Sequence, residues 1–285
     1  MERFAIVTDS AACIPQELRE RYRILVVPLV FLAGGISYRD GDSLSGEEFY
    51  RLLTTSSQLP TTTATPPGDF LAAFRQAYHQ SHHILSITIG SNFSGNYASA
   101  CNASQLAQQE LPQAQVRVLD SRNAAMAEGF VVLAAAQAAA QGCDMEQAVQ
   151  RAQAVIPRTY LLGVLDDLYY VARSGRVPRI MAWASSLLQI KPILQFHDGE
   201  VIPLERVRTK PRAQERLLHL MDQRLQPAQP LHVAVLHAHA PDEAASLAQR
   251  VQERFATAEL LVTEFSQVMG IHSGPGLVGL AFYNG

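Results

Sequence analysis

The stretch Ser86-Ile87-Thr88-Ile89-Gly90-Ser91-Asn92-Phe93-Ser94-Gly95-Asn96-Tyr97 changes character halfway along. Upstream, the apolar run HILSITI (83–89) reads as a buried strand. Downstream, YASACNASQLAQQEL (97–111) reads as a helix. The Ser/Gly/Asn turn between them sits where the first amides of a helix point outward without intrahelical acceptors. A turn built this way can carry a nucleophile, hold a phosphate or a carboxylate, or only redirect the chain.

Working outward, the same strand–helix alternation recurs through the first half. RFAIVTDS (3–10) is a strand, and 15–21 a short helix. RILVVPLVFL (23–32) is a buried strand, and 45–53 a helix opened by Ser45 with Glu48 three residues on, a capping box. A helix over 68–80, the strand at 83–89, a helix over 95–110, the strand QVRVLDS (115–121) and an alanine-rich helix over 124–141 follow. Such alternation predicts an α/β fold, a largely parallel sheet flanked by helices. The second half mixes helices and strands, with a hairpin at Asp198-Gly199, a helix over 241–255 and a last strand pair across HSGPG (272–276). It reads as a smaller α/β domain. The expected division is 1–158 and 159–285, with ligand bound in a cleft between the two.

The 285 residues carry a net charge of −3, which gives no global pull toward nucleic acid or an anionic membrane. The chain opens directly into a strand pattern, so no signal peptide is expected. The apolar run 24–36 is too short to span a bilayer and contains Pro28. Cys13, Cys101 and Cys143 are far apart, lack metal spacing and suit a reducing cytoplasm.

Around Ser94 the sequence is Asn92-Phe93-Ser94-Gly95-Asn96, without the flanking glycines of a hydrolase elbow. There is no G-x-G-x-x-G, and no lysine follows the turn as a P-loop requires. Two readings of the turn stay open: Ser91 or Ser94 simply caps the helix, or hydroxyls and free amides hold an anionic head group. Thr61-Thr62-Thr63, framed by Pro60, Pro66 and Pro67, favours an extended course that presents uncharged donors, or is an ordinary loop. His272 precedes the tight Gly274-Pro275-Gly276 turn. His237 and His239, two apart on an expected strand, lack a third metal ligand. Between Arg173 and Arg212, eight basic side chains (Arg173, Arg176, Arg179, Lys191, Arg206, Arg208, Lys210, Arg212) outnumber three acidic ones. That is a solvated face or a docking surface for an acidic partner. Of Asp9, Asp40, Asp42, Asp120, Asp166 and Asp167, none pairs recognisably for acid–base work; Asp9 and Asp120 precede Ser at strand ends, as caps do.

Taken in order, VTDSAACIP (7–15), PTTTATPPGDF (60–70), GSNFSGNYASA (90–100), VLDSRNAAMAEG (118–129), LYYVARSGRV (168–177), LLQIKPIL (187–194) with DGEV (198–201), RVRT (206–209) and IHSGPG (271–276) resemble the DegV family from end to end. The resemblance implies a two-domain α/β protein that holds one long-chain fatty acid in a tunnel and needs no cofactor or metal. Some members are similar to the binding subunit of a two-component fatty acid kinase. There the lipid is presented to a separate ATP-dependent subunit, which makes the acyl phosphate. On this chain the carboxylate-binding positions fall on Thr62 and Ser94, with Thr61 and the backbone at Gly95 completing the cup. The terminal-motif histidine falls on His272, and Arg208 falls on a basic position assigned to partner contact. Gly90, Asn92, Asn96 and Thr63 depart from the residues common in the family. An autonomous acyl hydrolase using Ser94 with His272, and a lipid-stabilised regulatory module, are the competing readings.

Overall fold

The computed structural model describes residues 4–166, 168–175, 177, 190–226 and 228–285. Asp167, Arg176 and Arg179, singled out above, lie outside the described residues, as does the whole segment 178–189.

The first half builds a four-stranded parallel sheet from β1 (Phe4–Asp9), β2 (Leu25–Val27), β6 (His83–Thr88) and β7 (Gln115–Asp120), in the order β2-β1-β6-β7. The run 23–32 is not one strand. It stops at Val27, passes Pro28, and resumes as β3 (Val30–Ala33) in a different sheet. Proline lacks the amide a ladder needs, so the break falls there. With β4 (Ile36–Arg39) and β5 (Thr61–Thr63), β3 forms a small antiparallel sheet in the order β4-β3-β5. The threonine run is therefore the extended segment its residue types predict.

Helices α1 (Gln16–Tyr22), α2 (Gly46–Thr55), α3 (Pro67–Tyr78), α4 (Asn96–Glu110), α5 (Met126–Ala140) and α6 (Met145–Val155) belong to this half. The expected capping box at Ser45 and Glu48 is present. Helix α5 is buried nearly all round and touches β1 and β6 on one side, β8 and β13 on the other. A helix packed between two sheets is expected to be apolar on every face, which explains its alanine-rich composition.

The second half forms a six-stranded mixed sheet from β8 (Tyr160–Val164), β9 (Lys191–His197), β10 (Glu200–Val207), β11 (Leu231–His237), β12 (Glu259–Glu264) and β13 (Val278–Asn284). Its order is β10-β9-β8-β13-β11-β12, and only the β11–β12 pair is parallel. Among the described residues, helices α7 (Tyr169–Ser174), α8 (Lys210–Asp222), α9 (Pro241–Arg254) and α10 (Gln267–Ser273) pack with it. Asp198 and Gly199, both at positive φ, turn the expected hairpin between β9 and β10.

Two further sequence expectations are corrected. The residues before Gly274 are not a strand but α10, whose N-cap Ser266 accepts a hydrogen bond from the Met269 amide. His239 does not continue β11: it lies beyond the strand end at φ 54° and stacks on Tyr50 at 4.7 Å. No cluster of three or more metal-ligating side chains occurs among the described residues, and no described helix is long and apolar enough to cross a membrane.

Candidate functional site: an uncharged cup at the head of an apolar cavity

Strand β6 ends at Thr88, and the turn 89–95 leads into α4 with Gly95 at the N-cap position. Gly95 has no side chain to cap with, so Ser94 takes that part: its Oγ accepts the Asn96 amide at 3.2 Å. The remaining first-turn amides have no intrahelical acceptors and carry the positive end of the helix dipole. Gly95 also allows the close approach of β5, since a Cβ there would lie 2.9 Å from the Ala64 Cβ.

β5 contributes alternate faces. Thr62 lies opposite the fully buried Phe31 of β3, while Thr61 lies opposite the exposed Leu32. Directly opposed residues in an antiparallel pair share a face, so Thr62 points inward and Thr61 outward. The Thr62 Oγ1 is 3.2 Å from the His272 Nε2, the imidazole being supplied by the last turn of α10. Thr62, Ser94, Gly95 and His272 thus line one cavity, together with Thr63 and Ala64; Thr61 is not among the lining residues. Arg208 is exposed at the end of β10, outside this cavity.

The cavity encloses about 1010 Å³ of free space, its open mouth included. Beyond the cup its walls are mainly apolar, Leu29, Ile89 and Phe93 from the first half and Leu161, Leu194 and Phe196 from the second, with Ser174 and Ser273 as further polar lining residues. No Asp, Glu, Lys or Arg lines it among the described residues. Chemically this is a polar end of hydroxyl, imidazole and amide groups opening into a hydrocarbon-like chamber. A carboxylate can be held there by hydroxyls, amides and a helix dipole, without a buried cation.

A buried polar cluster underneath fixes the cup. Asp9, fully buried at the end of β1, accepts hydrogen bonds from the amides of Ala11 (3.1 Å) and Ile89 (3.1 Å) and from the Asn96 Nδ2 (3.0 Å). Asn96 in turn accepts the Thr65 amide at 3.0 Å. One side chain therefore ties the turn to the threonine segment. Burial pushes the Asp9 carboxyl up to about 6, against the lowering effect of these donors. Burial and the Asp9 charge hold Glu128, which accepts the Thr8 hydroxyl at 3.3 Å, well above the ordinary carboxylate range. The capping role expected of Asp9 is present at Ala11, and Asp120 likewise accepts the Arg122 amide at 2.9 Å.

The second half closes over the turn from outside. Asn92 donates to the Gly199 carbonyl at 3.1 Å, and Arg122 pairs with Asp198 at 3.1 Å. Phe93 meets Phe196 edge to face at 5.8 Å. Sequence reasoning missed these wall residues. Their signal lay in the alternation of Leu161, Gly163 and Leu165, which face the cavity, with Leu162 and Val164, which face the opposite core.

The family model described as "Uncharacterised protein, DegV family COG1307" matches residues 3–285. Protein DegV of Bacillus subtilis is 30% identical over 279 residues, covering 98% of each chain. A DegV domain-containing protein of Streptomyces coelicolor is 37% identical over 279 residues, covering 97% of this chain and 96% of the relative. Among solved structures, a DegV family protein from Thermus thermophilus described by its fatty acid binding superposes with a TM-score of 0.91 at 29% identity, covering 99% of both chains. DegV of Bacillus subtilis, described as a fatty acid binding protein, superposes with a TM-score of 0.88 at 29% identity over 100% of both chains. With the match running the length of the chain, and the motifs at 60–70, 90–100 and 271–276 converging on one cavity, this protein belongs to the DegV family.

Proposed function

We propose that the protein binds one long-chain fatty acid, its carboxylate held by Thr62, Ser94, His272 and the backbone at Gly95, with Thr61 facing away from the cup. The tail occupies the apolar cavity between the units 1–158 and 159–285. The observation that carries this reading is the meeting of an uncharged donor cup and an apolar chamber in one cavity. Full-length relatives described as fatty acid binding support it. Burial of about fifteen methylenes at about 0.8 kcal/mol each releases roughly 12 kcal/mol gross. Association and ordering costs consume a large share, and enough remains for the lipid to survive purification.

The protein acts in the cytoplasm without chemistry of its own. It presents the carboxylate to a separate ATP-dependent kinase subunit for acyl phosphate formation, with Arg208 on the docking face. Neutral donors suit this task because they tolerate both a carboxylate and its phosphorylated product. Against the hydrolase reading, the Ser94 Oγ is bonded to the Asn96 amide, and the His272 Nε2 to Thr62 rather than to Ser94. An activated serine needs its base within hydrogen-bond reach.

Mass spectrometry of an organic extract of the purified, denatured protein tests the binding reading. A near-stoichiometric long-chain fatty acid is the expected result. An extract without lipid, together with no uptake of added fatty acid, overturns it. The kinase step is tested by adding an ATP-dependent DegV-partner kinase and following acyl phosphate formation, with loss of turnover expected for Arg208→Glu.

A further inference from the structure

Strand β8 carries a glycine in mid-sheet, at a place where glycine weakens a strand and calls for a reason. Gly163 lies between two neighbours in register, Leu194 of β9 and Gly279 of β13. Directly opposed residues share a face, so Gly163 and Gly279 leave a bare patch across two adjoining strands. The two glycines have different causes. A Cβ at Gly279 would come within 2.6 Å of the Leu162 carbonyl oxygen, so the backbone itself demands glycine there. A Cβ at Gly163 would meet nothing closer than the Leu277 Cδ1 at 3.6 Å, an ordinary contact, and Gly163 is not at positive φ. Neither conformation nor backbone packing requires glycine at 163. What the missing side chain does create is room, because Gly163 lines the cavity between Leu161 and Leu165 on the same face.

We infer that Gly163 is a specificity-determining residue: the bare patch is the floor over which the acyl tail passes, and it sets how long a chain the cavity accepts. The inference rests on the fatty acid reading above. A side chain at 163 projects into the path of the tail, the further the larger it is, and denies burial to the methylenes beyond it. Two methylenes left unburied cost roughly tenfold in affinity. Head-group contacts are untouched, so short acids that end before the patch are unaffected.

The test measures the affinities of delipidated wild type, Gly163→Ala, Gly163→Val and Gly163→Leu for saturated fatty acids of graded even length. Thermal melts establish that each variant is folded. The expected result is a loss that grows with chain length and with side-chain size, moving the preferred acid at least two carbons shorter in the valine and leucine variants. Gly163→Ala, whose Cβ meets only ordinary contacts, folds and shows the same trend in smaller measure if the larger variants fail. An unchanged preference in folded variants, or an equal loss at every length, overturns the assignment while leaving wild-type fatty acid binding intact. If wild type takes up no acid of any length, the fatty acid reading itself fails and the assignment falls with it.

Discussion

Thr62 and His272 stand 210 positions apart in the chain, yet the threonine hydroxyl and the imidazole Nε2 are 3.2 Å from each other. The contact joins β5 to α10 and so closes the polar end of the cavity with one residue from each half. It also sets what the hydroxyl can do. In the tautomer that carries its proton on Nε2, the imidazole donates, the Thr62 oxygen accepts, and the hydroxyl proton can turn to a carboxylate.

Removing that donor should therefore weaken acids selectively. Thr62→Val, which keeps the branched shape, is expected to reduce fatty acid affinity by about tenfold or more, the range of a hydrogen bond to a charged group at roughly 1.5–3 kcal/mol. The fatty alcohol of the same length should bind as before. His272→Ala should reduce acid affinity too, and the two losses should fall short of additive in the double variant because the groups touch. Calorimetric titration of the four proteins checks this. An equal loss for acid and alcohol would move the head group elsewhere.

The Asp9–Asn96–Thr65 chain makes a separate prediction. Asn96 is fully buried, donating to Asp9 and accepting from the Thr65 amide. Asn96→Ala leaves the buried Thr65 amide without its acceptor and takes one of three donors from Asp9, at about 1–3 kcal/mol, and should lower Tm by several degrees. Amide exchange at Thr65 should speed up in the lipid-free protein by more than at a distant strand such as β11. An unchanged Thr65 rate would show that the threonine segment is held by its β3 pairing alone.

How much of this was legible beforehand follows from the range of each signal. The parallel first sheet and the capping box at Ser45 rest on local patterns within a dozen residues, and the sequence shows both. The Thr62–His272 meeting depends on the docking of two sheets, which no periodicity encodes, and there the family resemblance supplied what spacing could not. The strand expected before Gly274 is instead α10, because Ser266 caps it and one short apolar run suits either element. The resemblance implies Thr61 beside Thr62 in the cup, while the period of two in a strand puts them on opposite faces. The clasp by Asn96 was unreadable: asparagine after a turn looks like any other turn residue until its buried partners are known.

Gly199 tests how the two halves close. It sits at φ 81°, and a Cβ would approach the Asn92 Nδ2 to 2.9 Å. Gly199→Val is expected to strain the hairpin, since left-handed backbone disfavours β-branched residues, and to push its tip away from the turn. Lipid should then leave faster, because Phe93 and Phe196 meet just inside this contact. Measuring lipid dissociation in Gly199→Val against Gly199→Ala, the smaller intrusion, checks the order. Equal rates in both variants and wild type would show that the hairpin tip takes no part in retention.

Stability against pH gives the last prediction. In the fold, Asp9 is raised from 3.8 to about 6, and Glu128 is raised well above its ordinary 4.5. Both groups therefore hold protons in the native state that the unfolded chain releases. Their contribution is fully present below the unfolded values near 4 and is lost as pH climbs through the folded ones; for Asp9 that window ends at about 6. Glu128 adds to the decline above its ordinary 4.5. Glu128→Gln keeps an oxygen for the Thr8 hydroxyl and offers Asp9 an N–H that never titrates. The variant should match wild type in buffer more acid than the ordinary Glu value of 4.5 and melt progressively higher than wild type as pH rises above it, with about 2–4 °C for each kcal/mol recovered. Parallel melting curves against pH for wild type and variant would show instead that Glu128 ionises in the fold as freely as it does in water.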